Sequence, residues 1–287
     1  MSLGLGFGMA LGLWMESDDG ETQTLSAATS VPIMHETRVA SMLGELRERG
    51  GALKLAPPAL SSHQQTARER SPTAAANRLV PSPTWLRNAV AVAASDERPV
   101  IAIVIDDAGL NRAGTERLNS LPGPLTISFI TYADDLPDQV KRARAAGHEI
   151  FLHVPMAPLS DLQNPGPRAL YPEAPKKEIR KHLVWALSRV RGYVGVNNHM
   201  GSRFTSDEEA MGLLLEELKG RGLAFLDSRT TESSVGKAVA QRFGVPFAVR
   251  DVFLDHDLDV AKIGAQFDRL EGIARQRGYA VAIGHPH

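Results

Sequence analysis

An α/β fold on a parallel sheet is what this sequence predicts from about Arg98 onward, and three observations predict it. Short apolar, β-branched runs recur along that stretch, segments with apolar residues every three or four positions lie between them, and Gly closes most of those segments. The first run, PVIAIVIDDAG at 99–109, is continuously apolar, as a strand buried on both faces should be. A helical pattern at 111–120 follows, then the run LTISFI (125–130), a helix at 136–146 and the run HEIFLHV (148–154). Next come a helix at 176–191, YVGVNN (193–198), a helix at 207–221, LAFLDS (223–228), a helix at 235–243, FAVRDVFL (247–254), a helix at 263–277 and AVAIGH (280–285). Gly147, Gly192, Gly222, Gly244 and Gly278 stand where these helices should stop. The alternation leaves open whether the sheet is doubly wound or closed into a barrel. In both architectures the chemistry sits at the carboxyl ends of the strands.

The remaining chain bounds the answer. With 287 residues, 43% hydrophobic and 23% charged, there is room for one large domain and a tail, or two small domains. A formal net charge of -1 gives no electrostatic reason to expect a nucleic acid partner. The absence of cysteine excludes disulfides, thiolate metal sites and cysteine nucleophiles, so any metal must be held by His, Asp, Glu or Asn. Residues 1–15, MSLGLGFGMALGLWM, are apolar and uncharged but shorter than the roughly 20 residues of a spanning helix. They read as a signal h-region or an anchor remnant, although no basic n-region precedes them and no clean small-x-small site follows. Export is the expectation, into the periplasm or as a membrane-tethered protein facing it. Residues 16–97, rich in Ala, Ser, Thr, Pro and Gln, bury too little apolar surface to offset chain entropy and read as a mostly disordered linker. A short helix is expected within it at 36–49, where Val39, Met42, Leu43 and Leu46 share a face.

Polar residues at strand ends are the candidates. Asp106 and Asp107 close the first run. Neighbours on a strand alternate faces, but a turn at its end can bring both carboxylates into one cleft, one for a metal and one for a proton. Alternatively, one of the pair caps the helix starting near Asn111. His153 ends HEIFLHV, whereas His148 stands at the start of that strand and reads as a core histidine. GVNNHMGSRFT (195–205) packs Asn197, Asn198, His199, Ser202 and Arg203 into one connection, more than an Asn-rich turn and a cap at Thr205 or Ser206 require. Asp227, Ser228 and Arg229 end the next run, Asp255, His256 and Asp257 the one after, and GHPH places His285 at the last. One Asp and three His from four strands make a metal site of oxygen and imidazole ligands.

These motifs resemble the polysaccharide deacetylase superfamily, most closely its divergent branch, over about residues 98–287. IDDAG resembles the family's Asp-Asp-Gly with one residue inserted before Gly109; GHEIFLH reproduces its Gly-His-Glu-Ile followed three residues later by a metal-binding His, here His153. The family's second metal His falls at Ala157, its Arg-Pro-Pro-Tyr motif is replaced by NNHMGSRF, and AVAIGH resembles the final strand whose His assists catalysis. A family member is expected to continue past His287 with another helix, so the domain reads as truncated there.

The resemblance implies a distorted, seven-stranded (β/α) barrel and a metal-dependent hydrolase that removes acetyl groups from N-acetylated envelope sugars through a metal-bound water. It assigns a divalent ion, by expectation Zn²⁺, to Asp107, His153 and His199, proton removal to Asp106, and proton delivery to His285. Asp227 or Asp255 would orient His285, and Asn198 or Arg203 would stabilise the oxyanion or hold a sugar hydroxyl. Ala157 and the missing third motif keep a second reading open, a catalytically impaired relative that binds glycan or an envelope partner. A third is an unrelated Mg²⁺ hydrolase built on the acid pair.

Overall fold

In the computed structural model, which describes residues 82–92 and 98–287, the apolar runs of the sequence form one parallel sheet. Its strands are β1 (Val100–Ala108), β2 (Thr126–Ile130), β3 (Glu149–Met156), β4 (Gly195–Met200), β5 (Ala224–Asp227), β6 (Phe247–Val249), β7 (Val252–Phe253) and β8 (Tyr279–Gly284). They lie in the order β6-β5-β4-β3-β2-β1-β8-β7. The helices are α1 (Thr84–Asn88), α2 (Arg112–Asn119), α3 (Leu136–Ala145), α4 (Lys176–Leu187), α5 (Glu208–Arg221), α6 (Gly236–Phe243) and α7 (Val260–Arg277), with a 3₁₀ turn at Phe204–Ser206. β2 and β3 are buried along their whole length, which is why their sequences carry no polar-out alternation.

The two edge strands are consecutive in the chain, and this decides between the two architectures. The Arg250 amide donates to the Asp227 carbonyl of β5 (3.0 Å), and the next amide, Asp251, donates to the Val281 carbonyl of β8 (2.8 Å). The segment thus passes from one edge of the sheet to the other within two residues, and the sheet is curled into a barrel-like form. The same handover corrects the strand count, because the single strand expected at 247–254 breaks into β6 and β7 where it changes partner, giving eight strands rather than seven.

Curling gives the sheet an inside, and period-two alternation states what fills it. Ala102 and Val104 of β1, Phe151 of β3, Ala224 and Leu226 of β5, and Val281 and Ile283 of β8 share one apolar cluster with Trp85. Continuing the same alternation towards the carboxyl ends leads to Asp106, His153, Ser228 and His285, and on β4 to Asn197 and His199. A second, larger cluster joins the outer face of the sheet to helices α2 to α6.

Trp85 belongs to a stretch read as linker up to residue 97, and the structure corrects that boundary. Its side chain is 7% exposed, its amide donates to the Gly222 carbonyl (2.8 Å), and Asn88 Nδ2 donates to the Tyr193 carbonyl (2.8 Å). The Val90 amide donates to Glu149 at the start of β3 (3.1 Å). α1 therefore packs where the strands begin. A composition read over some eighty residues hides one aromatic side chain whose burial orders its neighbours. The apolar segment at 1–15, the helix expected at 36–49 and the rest of the linker lie outside the described residues. Truncating Trp85 should leave a cavity, so Trp85→Ala is expected to lower stability by about 3 to 5 kcal/mol in urea unfolding. An unchanged midpoint would return 82–92 to the linker.

Candidate metal centre

Two consecutive carboxylates face one cleft because β1 carries a bulge. Its register with β2 shifts between Ile105 and Ala108, and Asp107 takes a left-handed φ of 56°. A bulge of this kind cancels the alternation for one residue, so Asp106 keeps the inward direction of Ala102 and Val104 while Asp107 turns to the same side. Gly109, φ 104°, completes the exit, where a Cβ would stand 2.8 Å from that of Ala133. The helix cap is Asn111, whose Oδ1 accepts from the Gly114 amide, so neither Asp is used as a cap.

Two imidazoles converge on one carboxylate oxygen. His153 Nε2 stands 3.3 Å and His199 Nδ1 2.8 Å from Asp107 Oδ1, and the three potential ligand atoms lie within 4.8 Å of one another. His153 Nε2 is also 3.7 Å from Asp106 Oδ2. Asp107 Oδ1 is buried and receives no hydrogen bond of acceptable geometry. Burial opposes ionisation of Asp107, but His153 and His199 hold its carboxyl well below the usual carboxylate range. Burial also opposes charge on His153, yet Asp106 and Asp107 raise its pKa. For Asp106 burial prevails, and its pKa is raised against the pull of His153 and Asn197.

The hydrogen bonds of His153 say what fits between these groups. Its Nδ1 lies 2.8 Å from Asn197 Oδ1, an acceptor, so Nδ1 carries a hydrogen and Nε2 of the neutral ring presents a lone pair to two carboxylates. Once the rings are neutral, the carboxylate oxygen of Asp107 and one nitrogen each of His153 and His199 lie close enough together to share a single cation. A mixed set of one carboxylate and two imidazoles suits a transition metal such as zinc, with further coordination positions left open.

Behind the ligands lies a buried polar layer centred on Asn197. Its Nδ2 donates to Asp106 Oδ1 (2.7 Å) and Ser228 Oγ (3.2 Å), and its Oδ1 accepts from Ser128 Oγ (2.5 Å) as well as His153. Sequence reasoning singled out Asn198 instead. Asn197 precedes His199 by two residues on β4 and so shares its face, which was the signal available in the sequence. Asn198 turns the other way: its Nδ2 donates to the Met200 carbonyl (2.7 Å) and its Oδ1 accepts from the Ser228 amide (2.9 Å). Buried and engaged at both ends, it holds the turns after β4 and β5 and is not placed to meet an oxyanion or a sugar.

Of the two acids expected to orient His285, only Asp255 does so. Its carboxylate lies 3.1 Å from His285 Nδ1, accepts from the His285 amide (2.6 Å) and lies 2.8 Å from His287 Nε2. Burial disfavours charge on His285, but Asp255, with smaller contributions from Asp106 and Asp107, raises its pKa. Ile105 pairs with Gly284, so Asp106 and His285 follow side by side on adjacent strands. Asp227 is occupied elsewhere, accepting from the Arg229 amide (2.8 Å) and from Ser234 Oγ (2.6 Å). Arg203 stands outside the metal cluster, 3.2 Å from Asp161 and 3.4 Å from Glu173, on a cleft of about 380 Å³. The cap of α5 is Asp207 rather than Thr205 or Ser206, and His148 is a buried core residue that accepts from the Leu125 amide (3.2 Å). Ala157, at the position of the second family His, is fully buried; its amide and carbonyl hold the β3 exit, and its methyl offers no ligand.

The family model of divergent polysaccharide deacetylases matches residues 103–287. The chain is 36% identical over 187 residues to the uncharacterized protein YibQ of Escherichia coli K12, a match covering 65% of this chain and 58% of that one. It is 34% identical over 188 residues to an uncharacterized protein of Haemophilus influenzae Rd, covering 65% and 66%. In both matches the chain spans less than two thirds of its relative. The crystal structure of the uncharacterized protein ATU2773 from Agrobacterium tumefaciens C58 superposes with a TM-score of 0.68 at 30% identity, covering 71% of this chain and 84% of that one.

If the three convergent groups are ligands, calorimetric titration of metal-free protein with Zn²⁺ should show about one ion per chain, lost in Asp107→Ala and held within about tenfold in Asp106→Asn. Equal affinity in wild type and Asp107→Ala would remove Asp107 from the site.

Proposed function

The chain belongs to the divergent polysaccharide deacetylase family, and from that premise we propose that it is a metal-dependent hydrolase acting on N-acetylated sugars of a cell-envelope glycan. The observation that carries this reading is the buried, unpartnered Asp107 Oδ1 with the nitrogens of His153 and His199 around it. A divalent cation, by proposal Zn²⁺, held by these three residues would supply Lewis acidity, lowering the pKa of a water towards about 7 and polarising the acyl oxygen.

The chain's own groups account for the protons. Asp106 lies beside the ligands with Oδ1 held by Asn197 and Oδ2 turned towards His153, and it takes the proton of the water that adds to the acetamide carbon. As the C–N bond breaks, His285 delivers a proton to the leaving nitrogen, with Asp255 on its Nδ1 fixing the tautomer that leaves Nε2 for this task. The products are acetate and a free amino sugar. The Arg203 cleft, lined also by Leu159, Pro172, Glu173, Ser206 and Asp207, offers charged and apolar surface for neighbouring sugar units. Export and a membrane tether are part of the proposal and rest on the apolar composition of residues 1–15.

Ala157, where the family's second metal His would stand, favours one other reading, a glycan-binding protein without turnover. Acetate release from N-acetylglucosamine oligomers and from peptidoglycan separates the two. Zinc-loaded wild type is expected to release acetate, and His285→Ala to do so about 10²- to 10⁴-fold more slowly. Glycan binding without release by the wild type would favour the second reading, and full activity in His285→Ala would defeat the assignment of the acid.

A further inference from the structure

We infer that Asn197 is the positioning residue of this centre: one buried amide sets which nitrogen of His153 faces the carboxylates and holds Asp106 beside it. The inference rests on the reading of His153 as a ligand and goes beyond it, since neither the family's motifs nor the strand-end pattern gives Asn197 a role.

The amide is fully exposed to its neighbours and not at all to solvent. Asn197 is 0% exposed and uses all of its hydrogen-bonding capacity, two acceptances at Oδ1 and two donations from Nδ2. Its orientation follows from an ionised Asp106, the form in which that residue can take up a proton. Rotating it by half a turn would set Oδ1 against the Asp106 carboxylate, 2.7 Å away, which as a carboxylate can only accept. With Nδ2 on Asp106, Oδ1 must face His153 Nδ1, and only the Nδ1–H tautomer satisfies that contact. Nε2 is then the nitrogen with the lone pair, and it is the one 3.3 Å from Asp107. The opposite amide orientation would require Nε2–H and would aim a hydrogen at the point where the proposed cation would sit.

Ser128 and Ser228 complete the amide's hydrogen bonds without choosing its orientation, since a hydroxyl can donate or accept. Ser128 Oγ donates to Oδ1, and Ser228 Oγ accepts from Nδ2, from strands on either side of the β3–β4 pair. The same amide holds Asp106 Oδ1 and leaves Oδ2 turned towards His153 Nε2, 3.7 Å away. Hydrogen-bonded partners of this kind commonly carry 10- to 100-fold of metal affinity.

The test is the ring ¹⁵N spectrum of His153, read in metal-free protein at alkaline pH, where the ring is neutral, and paired with Zn²⁺ titration of the same samples. Wild type should show Nδ1–H. Asn197→Asp, which keeps an acceptor for His153, should show it too; Asn197→Leu, which keeps neither acceptor nor donor, should shift to Nε2–H or a mixture and bind zinc about 10- to 100-fold more weakly. Nε2–H in the wild type, or an unchanged tautomer and zinc affinity in Asn197→Leu, would overturn the inference. Failure of the wild type to bind zinc would sink the proposed hydrolase instead, and the tautomer comparison would still decide the role of Asn197.

Discussion

Asp107 Oδ1 is buried, accepts no well-formed hydrogen bond, and has two imidazole nitrogens within 3.3 Å. An ionised carboxylate oxygen left in that state costs free energy unless a cation meets it. The chain also accepts backbone strain to put it there, since a left-handed φ at a residue other than glycine costs on the order of 1 to 2 kcal/mol, less for Asp than for most. The bulge at the end of β1, the burial of His153 and the network behind it all serve to hold that one oxygen in place.

The curled sheet supplies the rest by geometry. Inward positions recur every second residue, so each strand contributes a column of side chains to the barrel interior. On β1, β5 and β8, and at Phe151 of β3, the columns are apolar and packed with Trp85, while β2 and β3 begin with the buried contact between Thr126 and Glu149; where the strands end, the columns become Asp106, Ser128, His153, Asn197, His199, Ser228 and His285. The interior therefore has an apolar layer supporting a polar one. A polar layer inside a protein is stable only when every group finds a partner, and the Asn197 amide, with all four of its bonds made, is what closes the network.

Much of this was legible in the sequence because it is local. Apolar runs, three-and-four periodicity and terminal glycines mark elements whose bounds differ from expectation by a few residues at their ends, and the strand-end rule leads to Asp106, Asp107, His153, His199 and His285. What was not legible depends on distant pairings. The break of 247–254 into two strands arises because Arg250 bonds to β5 and Asp251 to β8, facts that no local pattern encodes. Trp85 was hidden by the linker-like residues around it. Asp227 and Asp255 looked equivalent at the ends of their strands, and only the fold sets Asp255 against His285. Asn197 and Asn198 are adjacent in the sequence, and the period-two alternation with His199 is the local signal that separates them.

The central claim is that Asp107, His153 and His199 share one metal ion. X-ray absorption at the zinc edge on zinc-loaded protein addresses it directly, because imidazole ligands carry a multiple-scattering signature that carboxylates and water lack. The account predicts a first shell at about 2.0 to 2.1 Å containing two imidazole nitrogens with the remaining positions oxygen. A shell of oxygen alone, or one with a single imidazole, would contradict it.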